Sequence, residues 1–327
     1  MKLLEERKLW ETRTPVLDSR DKKIIELLRG NARMPYTKIG KVARISKDQV
    51  RERIKRFLEA NVIIDFLTII NYSLLGYKLY HVFIRFYPFL KKEFLIKKLN
   101  KNPYIISLGL LVGRYDLEIQ IIAKNKKSAK DMLNKLLSVD NTKKEVFIIK
   151  EEKDYIIPRY FDLKNEKPII NKKVVSIDEK DKKILGCIAN NARMSFVDIG
   201  VVTSCKEDTV RYRMKQLISK GVIVDFITRI SRHRFKKINY ILILKLKNQL
   251  NISDKRKLKS IEPIYLMMES ADKRNIILYF SSEGYKGLKG TIESVKENLH
   301  SKIKKMDFAT LLVQHKLNPF SKEICVQ

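Results

Sequence analysis

Long apolar runs are missing from this chain of 327 residues. No stretch approaches the roughly 20 consecutive apolar residues that a membrane-spanning helix needs. The first ten residues carry charges where a secretory signal has its apolar centre. Cysteine is scarce: Cys187, Cys205 and Cys325 lie far apart, with no metal-ligand spacing and no disulfide framework, which fits a reducing, intracellular compartment. The four histidines, His81, His233, His300 and His315, are equally scattered. Spacing reveals no nucleophile–base pair, no metal cluster and no glycine-rich phosphate loop, so no catalytic residue, metal or cofactor is expected. Negative charge is also short. Lys+Arg 69 against Asp+Glu 37 leaves +32, which points to a polyanion such as nucleic acid. The expectation is a soluble cytoplasmic protein, associated with the nucleoid, with no membrane partner. RNA fits less well than double-stranded DNA, because exposed aromatics are not interleaved along a sheet.

What the chain does have is a repeat. A shift of 160 residues lays Leu17–Phe66 over Ile177–Phe226 without a gap, and 21 of these 50 positions are identical. Asn31-Ala-Arg-Met34 returns as Asn191-Ala-Arg-Met194, and Val50-Arg51 with Arg53 and Lys55 returns as Val210-Arg211 with Arg213 and Lys215. Asp65-Phe66 returns as Asp225-Phe226.

Each copy reads as three helices. Asp18 is placed to cap the first, which ends near Gly30-Asn31, and the second covers Tyr36–Ala43. Ser46 and Gln49 have capping-box spacing for the third, and Asn61 stops it. Val50, Ile54, Phe57 and Leu58 form one apolar stripe. Ser46, Lys47, Gln49, Arg51, Arg53 and Lys55 lie off it, and Arg and Gln are the side chains that pair with guanine and adenine edges. A short turn before the third helix makes a helix-turn-helix. Tyr36 and Thr37, opening the middle helix, are phosphate candidates. In the second copy the corresponding set is Lys206, Thr209, Arg211, Arg213 and Lys215, with Ser204–Glu207 as an alternative capping box. The outward sets differ, which predicts an asymmetric DNA site. The β-branched run Val62–Ile70 reads as a wing.

Behind each helix-turn-helix the pattern becomes βαββαβ, a ferredoxin-like split unit whose open sheet face asks for a partner. The fold class is α+β, with two winged helix-turn-helix domains alternating with two ferredoxin-like domains. The expected divisions are an extension at 1–16 anchored by Trp10, a helix-turn-helix at 17–70, a ferredoxin-like domain at 71–152 and a linker at 153–176. A second helix-turn-helix follows at 177–230, then a ferredoxin-like domain at 231–316 and a tail at 317–327. The final strand of the first ferredoxin-like domain is expected at Lys144–Lys150. The two sheets are expected to dock face to face as a pseudo-dimer within one chain, with a homo-oligomer as the further option.

Asp18-x-x-Asp21-x-x-Ile24, Asn31-Ala-Arg33, the Ser46 helix with Arg53-Ile-Lys-Arg56, Val62-Ile63, Leu75-Gly-Tyr77 and Gly113-x-Tyr-Asp116 form an ordered set. With that set the chain resembles the Lrp/AsnC (leucine-responsive, feast/famine) family of transcription regulators, in tandem duplicate. The resemblance runs over residues 17–123 and returns in the second helix-turn-helix. It implies sequence-specific DNA binding, an effector and dimerisation domain of the RAM type, and promoter occupancy tuned by an amino acid. It places effector-binding residues at Gly113, Tyr115 and Asp116. The alternative at those positions is a tight turn, in which Gly supplies a positive φ and Asp caps. The chain departs from the family at Pro35, Gly40 and Lys206.

Two other readings stand beside this one. The first is an architectural, chromatin-like protein that coats DNA by charge alone. The second is a siroheme-decarboxylase-like enzyme: that branch shares the architecture, and Ser231-Arg-His-Arg234 with Asn239-Tyr240 is similar to one of its segments.

Overall fold

The computed structural model describes residues 16–87, 93–138, 143–156, 174–270, 272–321 and 324. The expected extension around Trp10, and most of the linker with Pro158 and Pro168, lie outside the described residues. The first helix-turn-helix consists of α1 (Ser19–Gly30), α2 (Tyr36–Ala43) and α3 (Lys47–Glu59). Both capping boxes form there. Asp18 with Asp21 starts α1, and Ser46 with Gln49 starts α3. The turn between α2 and α3 is tight because a Cβ on Gly40 would lie 2.6 Å from the Ile45 carbonyl, and Gly200 meets Cys205 in the same way. In the second copy α6 (Glu179–Ile188), α7 (Phe196–Thr203) and α8 (Glu207–Ser219) repeat this order.

The segment after each third helix is a strand, as its β-branched residues predict, but it does not fold back as a wing. Strand β1 (Ile63–Ile70) pairs antiparallel with β6 (Ile223–Ile230), its counterpart in the other repeat. Each strand also crosses to the other repeat's first helix. Thr68 donates its hydroxyl to the Ile188 carbonyl at 2.6 Å, and Thr228 donates to Leu28 at 2.6 Å. These bonds satisfy carbonyls that a helix C-terminus leaves without partners. Among the described residues, the strand that each of them pairs with is the one from the other repeat.

The ferredoxin-like units are β2 (Lys78–Tyr87), α4 (Glu93–Lys101), β3 (Ile105–Gly113), β4 (Leu117–Ala123), α5 (Lys126–Leu137) and β5 (Lys143–Ile156), then β7 (Ile238–Leu246), α9 (Ile252–Ser260), β8 (Ile264–Ser270), β9 (Asn275–Ser282), α10 (Gly284–Leu299) and β10 (Ile303–Leu317). Their order is the expected βαββαβ. Their closure exceeds face-to-face docking, because the strands join edge to edge as one closed barrel in the order β10-β3-β4-β2-β5-β8-β9-β7. Length is the cause. β5 runs past Lys150 to pair with β8, and β10 pairs first with β7 and then with β3. Closure removes the free edges that would otherwise template aggregation.

The helices cover the outside of the barrel in two separate cores. Leu95, Leu99, Leu133 and Leu137 pack on the first half, and Leu258, Val295 and Leu299 pack on the second. The interior is filled by Phe83, Leu111, Tyr115, Ile241, Ile243, Met268, Ile277 and Tyr279. One buried polar cluster interrupts it. The Tyr279 hydroxyl donates to the Glu118 carboxylate and lies 3.4 Å from His81 Nδ1, which is itself 3.5 Å from Glu118. Burial and the neighbouring Glu118 charge hold the Tyr279 phenol well above its usual pKa. The expected tail is not free either: Phe320 and Ile324 are buried with Ile70, Leu75, Tyr77 and Ile106 of the first repeat and Ile184 and Met214 of the second. That places the second helix-turn-helix against the first barrel half.

Tyr279→Phe should therefore lower the unfolding free energy by about 1–3 kcal/mol, the usual cost of leaving a buried acceptor without its donor. The readout is a lower urea midpoint at constant m-value. An unchanged midpoint would mean that Gln120, 3.3 Å from Glu118, satisfies the carboxylate alone.

Candidate nucleic-acid interface

On α3 the buried stripe consists of Val50, Ile54 and Phe57, while Leu58 remains partly exposed. Lys47, Gln49, Arg51 and Lys55 are exposed on the opposite side, with Ser46 at the N-cap, and Thr37 is exposed at the start of α2. The Gln49 carbonyl oxygen accepts from the Ser46 amide at 3.1 Å, so the side chain is already oriented by the cap. A shallow groove runs along this surface between Tyr36, Asp48, Arg51, Glu52 and Lys55.

Arg53 belongs elsewhere. It bonds Asp18 at 2.7 Å and Asp21 at 2.5 Å, which clamps α3 to the start of α1. Arg213 makes the same clamp to Asp178 and Asp181 in the second copy. Both were expected to reach DNA, but they sit beside the buried stripe, one position before Ile54 and Met214, and point along the helix bundle. The recurrence of Asp-x-x-Asp and Arg at the same separation in both copies is the signal that reveals the pairing. In the first copy Arg56 adds a bond to Asp21 at 2.7 Å, where the second copy has Gln216.

The second copy is built differently on its outer side. Ser204 does not cap α8: it closes α7 in a left-handed conformation, φ 54°, and Lys206 is the N-cap without a side-chain bond. Arg211 donates to Glu207 at 2.6 Å and lies 4.5 Å over the Phe196 ring. Thr209 is half-buried, and Lys206 and Lys215 are exposed. Residues outside the expected set also face outward. These are Lys38, Lys41 and Arg44 in the first copy, and their basic character is plain in the sequence.

The two units are fixed to one another by a reciprocal exchange. Arg33 donates to the Ala192 and Met194 carbonyls of the second repeat, and Arg193 donates to Ala32 and Met34 of the first. Tyr36, expected at phosphate, is half-buried with the Arg193 guanidinium 4.5 Å over its ring. Burial, and then the Arg193 charge, lower the Arg33 pKa to about 10.

The turn at Gly113 has structural employment. Gly113 has φ 131°, and a Cβ there would lie 2.8 Å from the Phe308 carbonyl of the other repeat. Tyr115 is buried beside Phe83, and the Asp116 carboxylate accepts the Phe86 amide at 2.9 Å. Gly113 thus supplies the positive φ of a tight turn, while Asp116 bonds the neighbouring β2 rather than capping that turn.

Arg53→Ala should cost about 1–3 kcal/mol of stability, because it removes charged hydrogen bonds to a buried carboxylate. Arg51→Ala should leave the melting temperature unchanged and weaken DNA binding. A melt and a binding titration on both variants separate the two roles. The Asp18 carboxyl is held below its usual value of 3.8 by the Asp21 amide first and by Arg53 second. A lowered folded pKa gives stability that is fully present above the unfolded value and fades as pH falls through the folded one. Acid loosening of the first unit should begin only below about pH 4, and Arg53→Gln should move the Asp18 titration upward in a carboxyl-resolved NMR experiment.

The AsnC-type helix-turn-helix domain matches residues 17–58 and 177–218. The HTH-type transcriptional regulator FL11 of Pyrococcus furiosus is 31% identical over 125 residues, which cover 38% of this chain and 83% of FL11. LrpA of Pyrococcus abyssi is 32% identical over 132 residues, covering 39% of this chain and 92% of LrpA. Ptr1 of Methanocaldococcus jannaschii is 34% identical over 110 residues, covering 34% of this chain and 74% of Ptr1. A crystal structure of the siroheme decarboxylase NirDL superposes with a TM-score of 0.62 over 91% of this chain and 92% of NirDL, at 11% identity, a likeness of fold alone. The regulators are each matched over most of their length by little more than a third of this chain, so the chain belongs to the Lrp/AsnC family of helix-turn-helix transcriptional regulators, as a tandem duplication.

Proposed function

We propose that this protein is a transcriptional regulator that binds specific double-stranded DNA sites through its helix-turn-helix units, with one chain acting as an intramolecular pseudo-dimer. The observation that carries this reading is the coupling of two elements. Outward basic side chains on α3 are displayed by a capped helix, and the two helix-turn-helix units are held in a fixed relation by the β1–β6 pair and by Arg33 with Arg193. A rigid pair of reading helices suits discrete half-sites. A coat that binds by charge alone needs no such fixed spacing.

The reaction named for NirDL is not carried over. That likeness, at 11% identity, is of fold alone. Incubation with siroheme, followed by absorbance, should show no conversion. An amino acid binding at Gly113, Tyr115 and Asp116 would have to share the Asp116 carboxylate with the Phe86 amide and open the packing around Tyr115. Regulation through DNA contacts alone is the simpler account. No described helix is long and apolar enough to cross a membrane.

The test is selection of bound genomic fragments at near-physiological salt, followed by footprinting. Discrete sites are expected, with protected half-sites spaced by about one helical turn or a multiple of it. Uniform recovery of fragments, with affinity collapsing as salt rises, would replace this reading with the architectural one.

A further inference from the structure

The two helix-turn-helix units share a backbone but not a surface. Across residues 36–56 there are eight basic and two acidic residues; across 196–216 there are four and three. The losses fall on the outward positions. Lys38, Lys41 and Arg44, all exposed, correspond to Asp198, Val201 and Ser204. Lys47 at the start of α3 corresponds to Glu207 at the start of α8. Val197, Val201 and Val202 are 57%, 77% and 60% exposed along α7, where a helix that crosses a phosphate backbone needs donors. The basic side chains that remain are also less available: Arg211 is tied to Glu207 and stacked on Phe196, whereas Arg51 has no ion pair among the described residues.

We propose that DNA affinity resides in the first helix-turn-helix unit, through phosphate and base contacts from α2 and α3, and that the second unit contributes little electrostatic binding. The inference rests on the DNA-binding reading above and refines it. Each phosphate that a Lys or Arg neutralises adds about 0.9 to the slope of log affinity against log salt. The first unit can place Lys38, Lys41, Arg44, Lys47, Arg51 and Lys55 near a duplex. Against these the first unit sets Asp48 and Glu52; in the second, Asp198 and Glu207 join Asp208, the counterpart of Asp48, and repel the phosphates that Lys206 and Lys215 attract. Because Arg33, Arg193 and the β1–β6 pair hold the units together, the second is carried to the duplex whether or not it binds. The DNA site should therefore have one strongly held half and one half set mainly by geometry.

The test uses the full chain and the fragment that it selects most strongly. Two triple variants are compared, K41Q/K47Q/R51Q and K206Q/R211Q/K215Q. All six side chains are exposed, and Lys206 makes no capping bond, so both variants should melt as the parent does. The first should flatten the salt slope by about three and erase protection over one half-site, at about one phosphate contact per residue. The second should flatten it by less than about one. Equal flattening by both would overturn the division of labour while leaving the DNA-binding reading intact. Unchanged slope and affinity in both variants would overturn the helix-turn-helix as the contact surface, and the reading beneath it.

Discussion

The exchange of one strand and one arginine between repeats is the constraint on which the rest of this molecule depends. A single repeat leaves β1 with unpaired amides and carbonyls and leaves the end of its first helix with orphan carbonyls. Neither can be buried at acceptable cost without a partner. The other repeat supplies both. β6 pairs with β1, Thr68 and Thr228 reach the opposite helix ends, and Arg33 and Arg193 fill the opposite loops with charged donors. Burial first and the Arg193 charge second depress the Arg33 pKa, yet each arginine is wedged between aromatic rings, Phe196 and Phe226 around Arg33 and Tyr36 and Phe66 around Arg193. Those rings and the carbonyls compensate the mutual repulsion, since a guanidinium is attracted to both. The consequence for function is mechanical. The two helix-turn-helix units are tied directly to each other and not only through the barrel.

The barrel repeats the same logic at larger scale. Four strands with one covered face cannot stand alone, and the long β5 and β10 each extend beyond their own unit to close the other's edge. The final segment then adds a third tie, because Phe320 and Ile324 enter the core that the second helix-turn-helix shares with the first ferredoxin-like unit. Tyr72 donates to the Pro319 carbonyl at 2.6 Å at the same junction. Three ties therefore run between the halves: one at the connector strands, one at the barrel seams and one at the C-terminal segment.

Much of this was legible in the sequence, and the reasons for the rest are local. Helix limits at Tyr36–Ala43 and at the Ser46 cap could be read because capping and periodicity act within one turn of helix. The βαββαβ order could be read because apolar periodicity switches between two and 3.6 residues at each element. The partners of strands could not, since pairing between residues separated by about half the chain leaves no local mark: Ile63–Ile70 looked like a wing because it is a strand and lacked only its partner. Arg53 and Arg213 were misplaced for a related reason. A helix face assigned by angle alone does not separate a residue that points outward from one at the margin that reaches a neighbouring helix, and the carboxylates that capture these arginines lie 32 to 35 residues earlier. Ser204 failed as a cap because it is itself the left-handed residue that closes α7, as Arg44 closes α2, and that backbone requirement outranks side-chain capping there.

Fusion of the two halves changes what substitution can achieve. In a dimer of identical chains every new side chain appears twice, at positions related by the symmetry axis. Here it appears once. The strand register places Ile277 and Ile241 in the second half where Glu118 and His81 stand in the first. A symmetric barrel with this chemistry would bury two carboxylates in one apolar interior, a costly arrangement. The fused chain buries one and meets it with the Tyr279 hydroxyl from the other half. The connector strands show the same freedom. Arg229 binds Asp65, while the position opposite Asp225 is Ile69, and the Asp225 carboxyl, raised by burial, keeps the Phe226 amide as its donor. Each interior asymmetry is a pairing that a homodimer cannot form without duplicating its cost. The same freedom acts on the outer faces of α2 and α7, where lysine on one side and valine on the other are compatible with a single shared scaffold.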